Sequence, residues 1–304
     1  MRIPDFRYPF GAVVLAAAGL GTSQSGTPQQ AVDALLAADR AFSAASAGTD
    51  AVSGISAMFA PAVVLPLPGG RFADGLAAAR EALAANPENA GARVEWTPIR
   101  GGVSADGLHG FTFGYMMLHK ADQTIAAAKY LSYWVRTTDG WRVVAYKRTR
   151  RPDSLVSTAL LPAALPSSMV KPSTDPDAVE ALRKSLDRVE RDFSDAAQTI
   201  GLGAAFAKYG TADAVNMGGP GAAAFVIGAD AISQAVSAGD PPGGSPVSWA
   251  PDRVIVASSG DLGVTIGLIR PNARPADGST PAGFSFFTIW RRATPKDPWR
   301  YVAE

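Results

Sequence analysis

Few residues of this chain have side chains that could do chemistry. The 304 residues include two histidines, His109 and His119, and no cysteine. A chain without cysteine has no disulfide, no thiolate metal site and no cysteine nucleophile. Two histidines also leave too few ligands for a multi-histidine metal centre. We therefore expect no metal and no cofactor, so that any proton transfer would depend on carboxylates, tyrosines or a histidine.

Two acidic residues, Asp39 and Glu190, occupy matching places in two similar segments, and an arginine follows each of them. One interpretation is functional, with a carboxylate at the mouth of a pocket. The other is structural: an ion pair within the domain, or an anchor from a helix to a sheet. The adjacent arginine favours pairing, so we favour the structural interpretation.

A strand predicted over residues 108–119 places a row of histidines and aromatic residues on one face, because side chains alternate along a strand. If that face lines a pocket, Tyr115 would lie in an aromatic wall, and His119 with a nearby carboxylate could transfer a proton. The simpler expectation is that His119 is exposed at the strand end and that His109 lies in a loop. The row consists of His109, Phe111, Phe113, Tyr115, Met117 and His119.

The elements that must position these residues occur twice. Residues 35–43 (LLAADRAFS) align with 185–194 (SLDRVERDFS), and matched pairs follow in the same order along the chain. Such ordered matches predict a tandem duplication. The Pro- and Ser-rich residues 151–176 form the natural linker between a first domain at 27–150 and a second at 177–304, and its apolar run is expected to pack on one of them. The tryptophan pairs are Trp96 with Trp249, Trp134 with Trp290, and Trp141 with Trp299.

Hydrophobic spacing predicts an α+β architecture in each copy. In the first copy the pattern indicates helices over 28–47, 51–59 and 75–85, a strand over 62–68, and long strands over 93–103, 108–119, 124–137 and 141–148. Asp139 and Gly140, between the last two strands, are a strong hairpin signal. We expect three N-terminal helices in each domain, packed on one face of an antiparallel sheet.

Three motifs of the first copy are D-R-x-F in the first helix, F-A-P after the second, and K-Y-L-x-x-W-x-R-x-x-D-G-W near the end. Together with the element order, they resemble the nuclear transport factor 2-like superfamily, and more narrowly its bacterial SnoaL-like, ketosteroid-isomerase-like domains. The resemblance implies two tandem cone-shaped α+β barrel domains, each with a curved sheet around an apolar pocket. It also implies pairing through the sheets, as an intramolecular pseudo-dimer or a homodimer.

Isomerases of that family need a carboxylate base after the second helix and acidic donors beside the substrate. In this sequence the base position falls on Leu67, or on Met217 or Gly218 in the second copy, and none of these accepts a proton. The second donor would fall near Tyr133, or Thr288 in the second copy. The copies differ where Lys129, Tyr130 and Tyr133 stand against Ser285, Phe286 and Thr288, and any divided function should be sought there.

These observations predict an exported, non-catalytic protein that binds a small apolar molecule or a protein partner. The alternatives are a purely structural role, or a cofactor-independent isomerase, cyclase or dehydratase in the first domain, acting on a small hydrophobic or polyketide-like substrate. The candidate ligand-binding residues are Trp96, Phe113, Tyr115, Lys129, Tyr130 and Tyr133. The candidate catalytic residues are Asp39, Tyr115, His119 and Tyr133.

The net charge and the apolar N-terminal segment limit which partners and which cellular location the sequence predicts. With 28 basic and 27 acidic residues, the net charge of +1 gives no reason to expect nucleic acid or an anionic membrane. Arg2 and Arg7, the apolar residues 10–20 and the small residues after them predict a signal peptide over residues 1–23. The predicted location is periplasmic or secreted, and an uncleaved N-terminus would be the one membrane contact.

Overall fold

The computed structural model describes residues 26–219, 221–238, 244–273 and 283–304. The predicted signal peptide lies outside these residues. None of the helices in the described ranges is long and apolar enough to span a bilayer.

Helices and strands follow in the same order in the two copies. The first copy comprises α1 (Pro28–Ser46), α2 (Ala51–Ser56), β1 (Phe59–Leu67), β2 (Arg71–Asp74), α3 (Gly75–Ala85), β3 (Arg93–Val103), β4 (His109–His119), β5 (Ile125–Thr137) and β6 (Gly140–Arg150). The second comprises α4 (Pro176–Ile200), α5 (Leu202–Tyr209), β7 (Gly210–Asn216), β8 (Val226–Ile227), α6 (Ala229–Val236), β9 (Val247–Val256), β10 (Leu262–Pro271), β11 (Phe284–Arg291) and β12 (Arg300–Ala303).

Local sequence explains where α1 and α4 begin. At α1, the Thr27 hydroxyl accepts a hydrogen bond from the Gln30 amide at 3.2 Å, and the Gln30 side chain accepts one from the Thr27 amide at 2.8 Å. This reciprocal pair is a capping box, with Pro28 at the first helical position. The carboxylate of Asp175 caps α4 in a related way, by accepting hydrogen bonds from the first amides of that helix.

The two sheets have the same strand order, as a duplication predicts: β2-β1-β6-β5-β4-β3 and β8-β7-β12-β11-β10-β9. Neighbouring strands are antiparallel except β1 with β6 and β7 with β12, which are parallel. Each sheet is therefore mixed, and our expectation of an antiparallel sheet was wrong. Parallel strands need a crossover connection, and in each copy a short strand (β2 or β8), the third helix and the three strands after it form that connection.

The long strands of the first copy lie within two residues of their predicted bounds, but the second helix and the first strand do not. The helix ends at Ser56, earlier than predicted, and β1 already begins at Phe59. The cause is tertiary, since Phe59 pairs with Val143 of β6. Pairing with a neighbouring strand here outweighs local helical spacing.

The two sheets pack against each other. One face of each sheet is covered by the helices of its own copy, and the other face belongs to a continuous apolar cluster that we call the inter-sheet layer. Because this layer draws on both copies, neither sheet leaves that face in water. The first copy supplies Phe111, Phe113, Tyr115, Leu131 and Tyr133, and the second supplies Val264, Ile266, Phe287, Ile289 and Val302.

The hairpin loops that precede β4 and β10 bind each other reciprocally. The Asp106 carboxylate accepts hydrogen bonds from the Ser258 hydroxyl at 2.8 Å and the Ser259 amide at 3.1 Å. In return, the Asp261 carboxylate accepts from the Ala105 amide at 3.0 and 3.1 Å. The loops thus fix the relative position of the two copies with charge-assisted hydrogen bonds.

The segment between the copies packs on the first copy, at the free edge of β3. The Leu161 amide donates to the Ile99 carbonyl at 2.8 Å, and the Ala164 amide donates to the Gly101 carbonyl at 3.0 Å. The apolar run in the linker is therefore docked, as expected. It also covers backbone groups of an edge strand, which otherwise would remain open to pairing.

Candidate functional site

In the first copy, an acid from α1 is buried against aromatic donors of the sheet. Asp39 Oδ1 accepts a hydrogen bond from Trp96 Nε1 at 2.6 Å, and Oδ2 accepts one from the Tyr130 hydroxyl at 2.8 Å. Trp134 Nε1 donates to the Thr112 hydroxyl at 2.8 Å within the same network. Burial raises the pKa of Asp39, although hydrogen bonds from Trp96, Thr112 and Tyr130 oppose the shift.

The second copy repeats this network around Glu190 of α4. Glu190 Oε1 accepts from Trp249 Nε1 at 2.6 Å, while Oε2 accepts from the Thr265 hydroxyl at 2.5 Å and from Trp290 Nε1 at 2.9 Å. Burial raises the pKa of Glu190 to about 7 against the effect of these three donors. A carboxyl with such a pKa exchanges its proton near neutral pH.

Asp39 and Glu190 thus anchor the first helix of each copy to its sheet, one of the two structural roles weighed from the sequence. The other, pairing with the adjacent arginine, was wrong for Glu190, because Arg191 pairs with Asp187 at 2.9 Å instead. Arg40 and Arg191 are exposed on the helix surface, whereas the carboxylates of Asp39 and Glu190 are buried in the core.

Aromatic side chains fill the interior of the first copy between helices and sheet. Tyr130 and Trp134 are fully buried and Tyr146 is nearly so. The Tyr146 ring lies 5.4 Å from that of Phe59, and its hydroxyl lies 3.7 Å from Met116 Sδ. Burial raises the pKa of Tyr146 to about 12. This region is therefore a packed core, and Trp96 and Tyr130, two predicted ligand-binding residues, belong to it.

The corresponding region of the second copy encloses a cavity of about 280 Å³. Its walls are mostly apolar and aromatic, and two residues of β6 from the first copy, Lys147 and Thr149, complete them. The second copy contributes Glu190, Phe193, Leu202, Phe206, Asn216, Met217, Gly218, Val236, Val247, Trp249, Ile269, Ser285, Phe286, Phe287, Thr288 and Glu304.

Two exchanges between the copies explain why one interior is filled and the other is hollow. Tyr133 pairs with Ala145 in the first sheet, and Ile289 pairs with Ala303 in the second, so Glu304 occupies the position of Tyr146. By the same register, Phe286 occupies the position of Tyr130. A smaller side chain replaces a tyrosine at both places, and space is left between helix and sheet.

Charged groups from both copies meet at one end of the cavity. Glu304 Oε1 accepts a hydrogen bond from Asn216 Nδ2 at 2.6 Å. Burial raises the pKa of Glu304 to about 7, although the charge of Lys147 opposes the shift and that of Glu190 adds to it. Burial also lowers the pKa of Lys147. Two carboxyl groups and one ammonium group therefore share an apolar environment.

Lys129, a predicted ligand-binding residue, crosses from β5 to the second copy. Its Nζ donates to the carbonyls of Ala222 at 2.5 Å and Ala224 at 3.3 Å, and lies 5.9 Å from the centroid of the Phe225 ring. Burial, and then the charge of Arg151, lower the pKa of Lys129 to about 8. Lys129 thus holds a segment of the second copy that lies next to the cavity.

The predicted aromatic wall on β4 faces the second sheet instead of a pocket beneath the helices. Phe113 and Tyr115 lie in the inter-sheet layer, with ring centroids 4.9 and 5.3 Å from that of Phe225. Tyr133 lies there too, with its hydroxyl 3.1 Å from His109 Nδ1. His109 is the first residue of β4, so its expected place in a loop was wrong.

His119 lies at the far end of β4, away from the cavity. Its side chain is 45% exposed, and its Nε2 lies 2.9 Å from Glu95 Oε1. The expected nearby carboxylate therefore exists, but on the surface. Among the described residues, no group of three acidic or histidine side chains could hold a metal ion.

The strand register corrects one residue match and reveals cavity residues that sequence reasoning missed. Thr288 stands opposite Thr265 as Ser132 stands opposite Thr112, so Tyr133 corresponds to Ile289 and its match to Thr288 was wrong. The alignment of Trp141 with Trp299 already placed Glu304 opposite Tyr146, a signal that could have found Glu304. Nothing local in the sequence indicates Lys147, because its role follows from the packing of the copies.

No family model and no curated protein matches this sequence. Among solved structures, the chain is similar to a ketosteroid isomerase-like protein from Erwinia carotovora atroseptica, with 16% identity over 38% of this chain and 94% of that one and a TM-score of 0.31. It is also similar to a proposed dehydratase of the nuclear transport factor 2-like family from Streptomyces avermitilis, with 18% identity, coverage of 41% and 99%, and a TM-score of 0.33.

A third similar structure is a proposed aromatic ring hydroxylase from Novosphingobium aromaticivorans, with 21% identity over 38% of this chain and 87% of that one and a TM-score of 0.31. The family named for the Streptomyces protein is the one that the sequence motifs resemble. The activities named for these neighbours differ from one another, and the likeness assigns none of them to this chain.

Proposed function

We propose that the second copy binds a small molecule with an apolar body and one polar end. The observation that carries the proposal is the cavity of about 280 Å³, with aromatic walls and three ionisable groups at one end. Small-molecule sites are typically concave and mostly apolar, with a few polar groups that fix the orientation of the ligand. The body of the ligand would pack on Phe206 and Trp249, and its polar end would face Glu304 and Lys147.

The first copy supports the site and contains no assembled site of its own among the described residues. Its four candidate catalytic residues lie in three separate environments: Asp39 in the helix-side core, Tyr115 and Tyr133 in the inter-sheet layer, and His119 on the surface. Side chains in such separate places cannot contact the same substrate molecule. The geometry therefore argues against the alternative of an isomerase, cyclase or dehydratase in the first domain.

The test uses a neutral aromatic probe, 2-naphthamide, in calorimetric titrations. We expect saturable binding to the full chain, and at least a tenfold loss in Glu304→Tyr, because the tyrosine fills the cavity as Tyr146 fills the first copy. The matched control, Tyr146→Phe, alters the other interior and should bind the probe as the unmodified chain does. Equal binding by Glu304→Tyr would place the probe outside this cavity.

A second candidate function is proton transfer within the same cavity. It is favoured because both glutamates have a pKa of about 7, which suits a general acid and a general base near neutral pH. The test is exchange of the α-protons of 2-tetralone in deuterium oxide, followed by NMR. Catalysed exchange that disappears in Glu304→Gln would support this function. Exchange at the uncatalysed rate would contradict proton transfer and leave binding as the proposed function of the cavity.

A further inference from the structure

We infer that the ligand of this cavity is an anion, a carboxylate on an apolar body, which is held between Lys147 of the first copy and Glu304 of the second. The inference rests on the proposed function and adds two elements to it: the charge of the ligand, and the direct participation of the first copy in recognising it.

Lys147 lies on the face of β6 that is turned toward the second copy. It alternates with Tyr146, which faces the helices of the first copy, and it shares its side of the strand with Thr149. The side chain lines the cavity of the other copy, so the site is built from both.

The ammonium group of Lys147 has no partner among the described residues. No hydrogen bond reaches its Nζ, and no carboxylate of the described ranges lies within ion-pair distance, although Glu304 is near enough to affect its charge. A half-buried ammonium group without a partner is costly, because it has lost much of its hydration. A bound carboxylate would supply the missing charge.

The hydrogen bonds already made in the cavity set the orientation of such a ligand. Glu190 is occupied, since both of its oxygens accept from Trp249, Thr265 and Trp290. Glu304 accepts a single side-chain hydrogen bond, from Asn216. When Glu304 is protonated it can donate to one oxygen of the ligand, while Lys147 donates to the same carboxylate.

A cationic ligand is the main competing class, because aromatic walls beside carboxylates also suit an ammonium group. The position of Lys147 argues against it, since a second cation would be placed beside the first in a mostly apolar environment. Glu190 already accepts three hydrogen bonds, so little acceptor capacity is left on that carboxylate for an ammonium group.

Binding of an anion must weaken as the pH rises through about 7. Within the described ranges, the titratable groups that face Glu304 are Lys147 from β6, Glu190 from α4 and Tyr301 from β12. Tyr301 stays neutral throughout, because burial raises its pKa and its hydroxyl donates to the Phe206 carbonyl at 2.9 Å. Above the pKa, Glu304 loses the proton that it would donate, and its negative charge repels the ligand.

The experiment compares three probes with one aromatic body: 2-naphthoate, 2-naphthamide and 2-naphthylmethylammonium, titrated by calorimetry at pH 6 and pH 8. We expect 2-naphthoate to bind most tightly at pH 6 and to lose about tenfold in affinity at pH 8, as Glu304 changes from mostly protonated to mostly ionised. Binding of the amide should change little with pH.

Variants of the full chain separate the contributions. Lys147→Met should weaken 2-naphthoate about tenfold or more while it leaves the amide within a factor of two, and Lys147→Arg should restore anion binding. Glu304→Gln should remove most of the pH dependence. Lys171→Met, at an exposed linker position, is the control, and circular dichroism checks that each variant is folded.

The outcomes distinguish this inference from the proposed function. If the amide binds as tightly as the acid and Lys147→Met changes the affinity of neither probe, the inference of an anionic ligand is refuted, while the proposed binding in the cavity stands. Tightest binding by the ammonium probe also refutes the anion. If none of the three probes binds at millimolar concentration, the inference and the proposed function both fail.

Discussion

At the scale of single residues, the acid on the first helix of each copy and its aromatic neighbour have changed together. Asp39 is short, and the Tyr130 hydroxyl completes its hydrogen bonds. Glu190 is longer by one methylene and reaches Thr265 and Trp290 directly, so Phe286 at the place of Tyr130 leaves no acceptor without a donor. Asp39 with Tyr130 and Glu190 with Phe286 both leave the buried carboxyl hydrogen-bonded, but only the arrangement around Glu190 leaves room for a ligand.

The raised pKa of Glu190 predicts how its replacement changes the pH dependence of stability. Glu190 of the folded chain keeps its proton up to about pH 7, and in the unfolded chain only up to about pH 4.5. Its contribution to the free energy of unfolding is therefore complete below pH 4.5 and is lost as the pH rises from about 4.5 to about 7. Glu190→Gln should remove up to about 3 kcal/mol of this pH-dependent loss. Urea unfolding of both proteins at pH 5 and pH 8 measures it.

Glu304 titrates in the same range, so the informative quantity is the difference between the two proteins at each pH. Equal changes in the free energy of unfolding for the chain and for Glu190→Gln would contradict a raised pKa at Glu190. The control is Glu81→Gln on α3, at an exposed position, which should change the free energy of unfolding little.

At the scale of elements, the long strands could be predicted because their side chains alternate over many residues. The direction of β1 and β7 could not, since parallel pairing depends on the crossover of a whole unit and on no local pattern. The cavity was also hidden, because it depends on strand register near the bulges that interrupt the pairing after Tyr133 and Ile289. A register shift of one residue reverses which side chains face the helices.

Lys129 links two elements of different copies, which gives a prediction at this scale. In Lys129→Met, the Ala222 and Ala224 carbonyls lose their donor, and the segment after β7 is released from the first sheet. We expect faster amide hydrogen exchange in peptides that contain residues 222–226, and weaker binding of 2-naphthoate although Lys129 does not line the cavity.

The same Lys171→Met variant is the control for hydrogen exchange, because that lysine is exposed in the linker. Unchanged exchange at residues 222–226 in Lys129→Met would show that the inter-sheet packing alone holds this segment. The pH adds a second check: since burial lowers the pKa of Lys129 to about 8, stability should rise between pH 8 and 10.5 in the chain and less so in the variant.

At the scale of the whole molecule, the repeat in the sequence predicted the architecture but not which copy has a packed interior and which has a cavity. The matched pair Trp96 and Trp249 proved to donate to the buried acids Asp39 and Glu190, and the copies differ at the positions that fill or open an interior. Which copy keeps a cavity depends on side-chain volume at two places and on Lys147, which reaches across from the other copy.

The shared inter-sheet layer predicts that the two copies unfold together. Phe113 is fully buried in it and contacts Phe225 of the second copy. Phe113→Ala should lower the free energy of unfolding by about 3–5 kcal/mol, the usual cost of a cavity of this size. Guanidinium unfolding followed by tryptophan fluorescence and circular dichroism should show one coincident transition, and two separate transitions would show that each copy is stable alone.

The most direct test of the central claim is a crystal structure of the full chain soaked with 6-bromo-2-naphthoate, in which anomalous scattering locates the bromine. We expect the bromine in the second copy against Trp249 and Phe206, with the carboxylate within hydrogen-bond distance of Lys147 Nζ. Bromine between Tyr130 and Tyr146 in the first copy, or in neither interior at saturating concentration, would contradict the account.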